Sequence, residues 1–145
     1  MPLLSKLPVL LVDCQATGAA SAGGHLLEIG WLKTAAKDAL SAGPDSVAAF
    51  RLRLPAGASI PPSVQRITGI GAEETAAART AAEAWHCLVA AAGPAPVPTV
   101  IHYARLETPL LRRLHREASG QSPLPLQIVR TPEVARWRAW GSGTT

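Results

Sequence analysis

The ten residues Val9-Leu-Leu-Val-Asp-Cys-Gln-Ala-Thr-Gly18 decide the fold. Val9 to Val12 is a continuous apolar run without polar alternation, the pattern of a strand buried on both faces and so of a central strand in a layered domain. The run stops at Asp13. A carboxylate directly after a buried strand needs water, a metal ion or a helix terminus to satisfy it, which puts Asp13 at the carboxyl edge of the sheet. Gln15 stands two residues on and points to the same side in extended geometry. Thr17-Gly18 then lets the chain turn. An ordinary turn or N-cap aspartate is the alternative reading of Asp13.

Working outward, His25 to Lys33 alternates with period two, Leu27, Ile29 and Trp31 on one face against Leu26, Glu28 and Leu32 on the other. That is a second strand. Val47 to Leu54 alternates again, with Phe50, Leu52 and Leu54 opposed to Arg51 and Arg53. Three strands joined by short connections predict an antiparallel meander. Pro55 to Gly71 reads as a Pro-punctuated loop, and Glu73 to Ala92 as one long helix with an acidic start, stopped by Gly93-Pro94. Thr99 to Tyr103 is a fourth strand. Glu107-Thr108-Pro109 opens the next helix, with Thr108 as cap and Pro109 at its first position, and Gly120 closes it. Leu126 to Val129 is a fifth strand, and Thr131-Pro132-Glu133 starts a last helix running into Trp137 and Trp140. The order βββ-α-β-α-β-α predicts an α/β fold, a mixed sheet in which a meander is followed by parallel strands with helices on its faces.

At 145 residues the chain has room for one domain, and its 48% hydrophobic and 17% charged residues exclude a disordered tail protein. No apolar run reaches the roughly 18 residues a bilayer span needs, so no membrane association is expected. Met1 to Leu11 lacks a small-residue cleavage site and reads as a strand rather than a signal peptide. Cys14 and Cys87 are too few for a disulfide framework, and the expectation is two reduced thiols in a cytoplasmic protein. The net charge of +4 is unevenly spread. Residues 1–104 hold seven Lys+Arg and seven Asp+Glu, whereas 105–145 hold seven Arg and three Glu, so the whole excess lies in the last part of the chain. A polyanionic partner and a solvated helix face both fit that distribution.

A second acid sits in an equivalent place. Glu107 follows the fourth strand, and if strands one and four are neighbours it converges with Asp13 at one end of the sheet. Paired carboxylates there suit Mg²⁺ or Mn²⁺. A simple charge in the first turn of a helix would account for Glu107 as well.

These residues resemble a known family. Val9 to Gly18, with His-Leu-Leu-Glu-Ile-Gly at 25–30, is similar to the first motif of the DEDDh, or DnaQ-like (proofreading-subunit-like), 3'–5' exonucleases, Asp-x-Glu-Thr-Thr-Gly followed by a strand with Glu-Ile-Gly. Ile67-Thr-Gly-Ile70 resembles the segment between the first two motifs. Val100-Ile-His-Tyr-Ala-Arg-Leu-Glu107 resembles the second, His-Asn-Ala-x-Phe-Asp, and Thr131 to Arg136 the stretch after the fifth strand. The resemblance implies an RNase H-like fold and phosphodiester hydrolysis at nucleic-acid 3' ends through two divalent ions, Mg²⁺ or Mn²⁺. It puts Asp13, Gln15 and Glu107 in the catalytic and metal-binding positions, and Ala16, Thr17, Ile67 and Tyr103 near the terminal nucleotide. His102 and Glu28 fall where the family has structural residues. The implied partners are the 3' end of single-stranded DNA or RNA, and a polymerase, another replication or repair protein, or further chain.

The sequence departs from the family at three points. Gln15 is neutral where the family has an acid, Glu107 is one methylene longer than Asp, and no histidine or aspartate follows Thr131 to supply the third motif. The expectation is therefore a C-terminally incomplete exonuclease-like domain at 9–138, with an N-terminal extension at 1–8 and a tail at 139–145. Truncation would leave an apolar flank of the sheet uncovered. An inactive module of the same fold, binding nucleic acid or protein, is the alternative, and an unrelated α/β domain a third.

Overall fold

The computed structural model describes residues 5–39, 41–120 and 123–129. Five strands form one sheet: β1 (Pro8–Ala16), β2 (Leu26–Ala35), β3 (Ala48–Arg51), β4 (Pro98–Ile101) and β5 (Gln127–Val129), in the order β3-β2-β1-β4-β5. β1 pairs antiparallel with β2 and β2 with β3, while β1–β4 and β4–β5 are parallel. The meander and the parallel half are thus both present, with β1 at the junction. The last helix expected after Thr131 lies outside the described residues.

Side-chain alternation sorts the sheet into two faces. Leu10 and Val12 of β1, Ile29 and Trp31 of β2 and Ile101 of β4 share the core face, all buried. Against it pack α3 (Ala81–Ala92) and α4 (Ala104–Ser119) through Trp85, Leu88, Leu110, Leu111 and Leu114. Between these helices the indole Nε1–H of buried Trp85 donates to Nδ1 of buried His115 at 3.2 Å, so the polar tips of both rings are satisfied inside the core. The opposite face carries Leu11, Leu32 and Val100 at intermediate burial, together with Asp13 and Gln15.

Several boundaries differ from the sequence-based expectation. The long helix is two: α2 (Ala72–Ala76) and α3, divided at Thr80, whose hydroxyl accepts from the Glu83 N–H at 3.2 Å while Glu83 Oε2 accepts from the Thr80 N–H at 2.8 Å. Thr80-Ala-Ala-Glu83 is a capping box, and its two reciprocal bonds outweigh the helix propensity of the flanking alanines. The loop before it holds α1 (Pro62–Thr68), ended by Gly69 at φ 70°. Helix α4 begins at Ala104, not after Thr108, because the N–H groups of Leu106 and Glu107 already bond the Tyr103 carbonyl. Pro109 therefore lies inside the helix, where it removes the bond that the Arg105 carbonyl would accept.

The β1–β2 connection is closed tightly. Thr17 N–H donates to the His25 carbonyl and His25 N–H to Thr17 Oγ1, each at 2.8 Å. The register slips by one between Gln15–Glu28 and Ala16–Leu26, a bulge that leaves consecutive Leu26 and Leu27 both buried. Within the loop, Gly24 packs so closely that a Cβ there would collide with the Gly18 carbonyl, whereas Gly18 itself has room. Arg113 of α4 donates to the Gly24 carbonyl and fastens the loop to the helix. Gly24→Ala is expected to lower stability by about 1–3 kcal/mol, and Gly18→Ala to change it by less than about 0.5 kcal/mol, with urea denaturation as the measurement. Equal effects of the two would contradict this packing.

Candidate functional site

Asp13, expected directly after its strand, lies inside it. β1 runs on to Ala16 because β2 continues beside it, while the last β1–β4 pair is Val12 with Ile101. Asp13 therefore lies just past the end of β4, at the carboxyl edge of the parallel pair, where the sheet changes from antiparallel to parallel neighbours. This is the kind of switch point at which open α/β sheets bind ligands. Its carboxylate is largely exposed.

Glu107 reaches the same place from α4. Starting the helix at Ala104 turns Glu107 inward, so the residue is 1% exposed although its neighbour Leu106 faces solvent. Its Oε1 accepts from the Cys14 N–H at 3.3 Å, an amide that no β4 residue is left to pair. The other oxygen, Oε2, is buried and has no hydrogen-bond partner among the described residues. Burial pushes the Glu107 pKa up from 4.5 to about 7; the Cys14 N–H opposes the rise, and the nearby Asp13 carboxylate adds to it. Burial, with Glu107 and Asp13 beside it, likewise raises the Cys14 thiol, which favours its neutral form.

The remaining sequence candidates are less close-knit. Gln15 is half-buried beside Glu28 across the strand pair, on the same face as Asp13. Ala16 ends β1, and the Thr17 hydroxyl is engaged by the His25 amide. Ile67 is 84% exposed on α1, and Tyr103 is 63% exposed immediately before α4. Glu28 forms a 3.6 Å ion pair with Arg51.

His102 is the residue whose position differs most from the sequence-based expectation. It was expected inside a strand, but β4 ends at Ile101 and His102 is exposed in the turn. Its Nδ1 lies 3.6 Å from Asp13 Oδ1, and its ring packs on Tyr103 with centroids 4.3 Å apart. The available signal was register: a residue one step past a parallel strand faces the same edge as its partner's next residue.

An orphaned buried carboxylate oxygen beside a second carboxylate is a donor set for one hard divalent cation. Asp13 and Glu107 fit such an ion. The acids for a pair of ions are not assembled: among the described residues no group of three or more His, Cys, Asp or Glu is arranged so as to hold a metal ion. The site is an open edge, and a cavity of about 400 Å³ lies elsewhere, lined by Arg53, Ile60, Gln65 and Thr75 among others.

Because the folded protein holds the Glu107 proton up to about pH 7 and the unfolded chain releases it near 4.5, the folded state binds more protons in that window. Stability should then fall as pH rises through it, by up to about 3 kcal/mol in metal-free buffer. Glu107→Gln, measured by urea denaturation at about pH 5 and pH 8, should flatten the fall and be the more stable protein at the higher pH.

No family model matches the chain, and no curated protein does. Solved structures do. The zinc-bound form of an Escherichia coli exonuclease I complex with single-stranded DNA matches with a TM-score of 0.72 and 13% identity, covering 97% of this chain and 31% of that one. A product-bound exonuclease I matches at 0.71 and 12%, over 97% and 34%. The E. coli enzyme with a dT13 oligonucleotide matches at 0.72 and 13%, over 96% and 31%. The chain spans about a third of the length of these proteins. What the likeness shows is the fold: a mixed five-stranded sheet with flanking helices, the RNase H-like arrangement of exonucleases.

Proposed function

We propose that this chain is part of a metal-dependent 3'–5' exonuclease-like domain, the incomplete domain of residues 9–138, acting on the 3' end of a single nucleic-acid strand. The observation that carries the reading is the buried Oε2 of Glu107, without a hydrogen-bond partner among the described residues and next to the Asp13 carboxylate. A carboxylate oxygen desolvated in that way is unfavourable unless a proton or a cation completes it. The exonuclease I complexes with single-stranded DNA support the choice of substrate.

In this reading Asp13 and Glu107 hold a Mg²⁺ or Mn²⁺ ion, and Gln15 offers a neutral carbonyl oxygen from the same face as Asp13. When bound, the ion supplies Lewis acidity toward a phosphodiester and lowers the pKa of water. The Cys14 N–H fixes the Glu107 carboxylate so that only Oε2 is left to face a ligand. His102 borders the Asp13 carboxylate and helps orient it. Tyr103, with its exposed ring, and Ile67 offer apolar surface to a terminal base, while Ala16 and Thr17 shape the turn that receives the 3' end.

Titration with Mn²⁺ tests the reading. At about one hundred times its dissociation constant the ion should stabilise the protein by about 2.7 kcal/mol, and Asp13→Ala should abolish both this response and any release of mononucleotides from a single strand. Gln15→Glu, which adds the missing negative charge, should tighten Mn²⁺ about tenfold, or about 1.4 kcal/mol. A parent chain indifferent to Mn²⁺ and Mg²⁺ would overturn the metal site.

A second reading, an inactive module of the same fold that binds nucleic acid or protein, is favoured by the neutral Gln15, which takes a negative charge from the position that the family fills with an acid. Strand binding without turnover at saturating Mn²⁺ would select it.

A further inference from the structure

Helix α4 leaves the candidate site with a row of arginines on its solvent side. Arg105, Arg112 and Arg116 are all exposed. Their spacings of seven and four residues put them within about 40° of one another around the helix, over a length of about 16 Å. Pro109, at the intervening position of the same stripe, is exposed and uncharged.

None of the three is ion-paired with an acid among the described residues. The acids of this helix are committed elsewhere: Glu107 faces inward to Cys14, and Glu117 lies 3.9 Å from Arg113. Arg113 is not part of the row, since it holds the Gly24 carbonyl. Like charges four residues apart, as at Arg112 and Arg116, disfavour a helix by about 0.2–0.5 kcal/mol. A face that served only solubility would intersperse signs and avoid that cost. A single-sign row needs counter-charges from outside the helix. Guanidinium forks match phosphate oxygens in pairs, and at about 3.4 Å per phosphate of a stacked strand the row spans roughly five phosphates.

The row starts two residues before Glu107 and runs away from it. We propose that the solvent face of α4 is a backbone track for a single nucleic-acid strand, Arg105, Arg112 and Arg116 holding the phosphates upstream of the 3' end. The inference rests on the exonuclease-like reading for its direction only, since the contacts themselves need no metal.

The test is the binding of an oligothymidylate of about 20 nucleotides by fluorescence anisotropy, in EDTA, across salt concentrations. Arg112→Gln with Arg116→Gln should make the slope of log K against log salt shallower by about 1.4, and adding Arg105→Gln by about 0.7 more. Between about 50 and 200 mM salt the parent should therefore lose about sevenfold more affinity than the double variant. Lys6→Gln with Lys37→Gln is the control. It removes the same charge from exposed positions at the other end of β1 and β2, where Leu7 meets Ala36, and should alter the slope by less than half as much. Equal slopes for the two double variants, or a parent that does not bind, would overturn the track. Because EDTA is present throughout, this outcome is separable from the Mn²⁺ response: either can fail with the other intact.

Discussion

One unpaired amide organises the candidate site. β4 stops at Ile101 while β1 continues to Ala16, so the Cys14 N–H has lost its strand neighbour and must find another acceptor inside the protein. Glu107 supplies it. Everything distinctive about the edge of the sheet follows from that substitution of a side chain for a strand. The carboxylate is drawn in from α4 and buried, one oxygen is used by the backbone, and the other is left beside Asp13 without a hydrogen-bond partner among the described residues. A helix beginning at Thr108 would have pointed this residue elsewhere.

The electrostatics agree with the geometry. Two carboxylates at one edge repel, and burial of one of them makes its ionised form still less favourable, which is why Glu107 keeps its proton to about pH 7. Such frustration is common where a fold holds ligand atoms in readiness. Beside it the exposed His102–Tyr103 ring pair forms the rim of the site, and the arginines of α4 extend a positive face away from it.

Much of the fold was legible in the sequence. The apolar run at 9–12 and the alternation at 25–33 located the central pair of strands, and the acids at 13 and 107 were assigned to one edge from topology alone. The failures have specific causes. Alanine-rich flanks hid the break at Thr80, although Thr80 and Glu83 carry the capping signature. Pro109 suggested a helix start because proline fits there best, yet near a helix N-terminus it costs only one hydrogen bond and is tolerated. His102 was placed inside a strand because the end of a short parallel strand depends on its partner and not on its own residues. No local pattern announces the burial of Glu107, since it arises from contacts with a strand ninety-three residues away.

That separation has a kinetic meaning. The β1–β2 hairpin is local and can form early, whereas the parallel β1–β4 pairing and the Cys14–Glu107 bond require closure of a loop that contains most of the chain. The two carboxylates therefore meet late in folding, after the hairpin and the helices have removed most of the chain's freedom. A chain in which only the hairpin and the helices have formed would still carry its two acids apart, each solvated and unable to grip a cation.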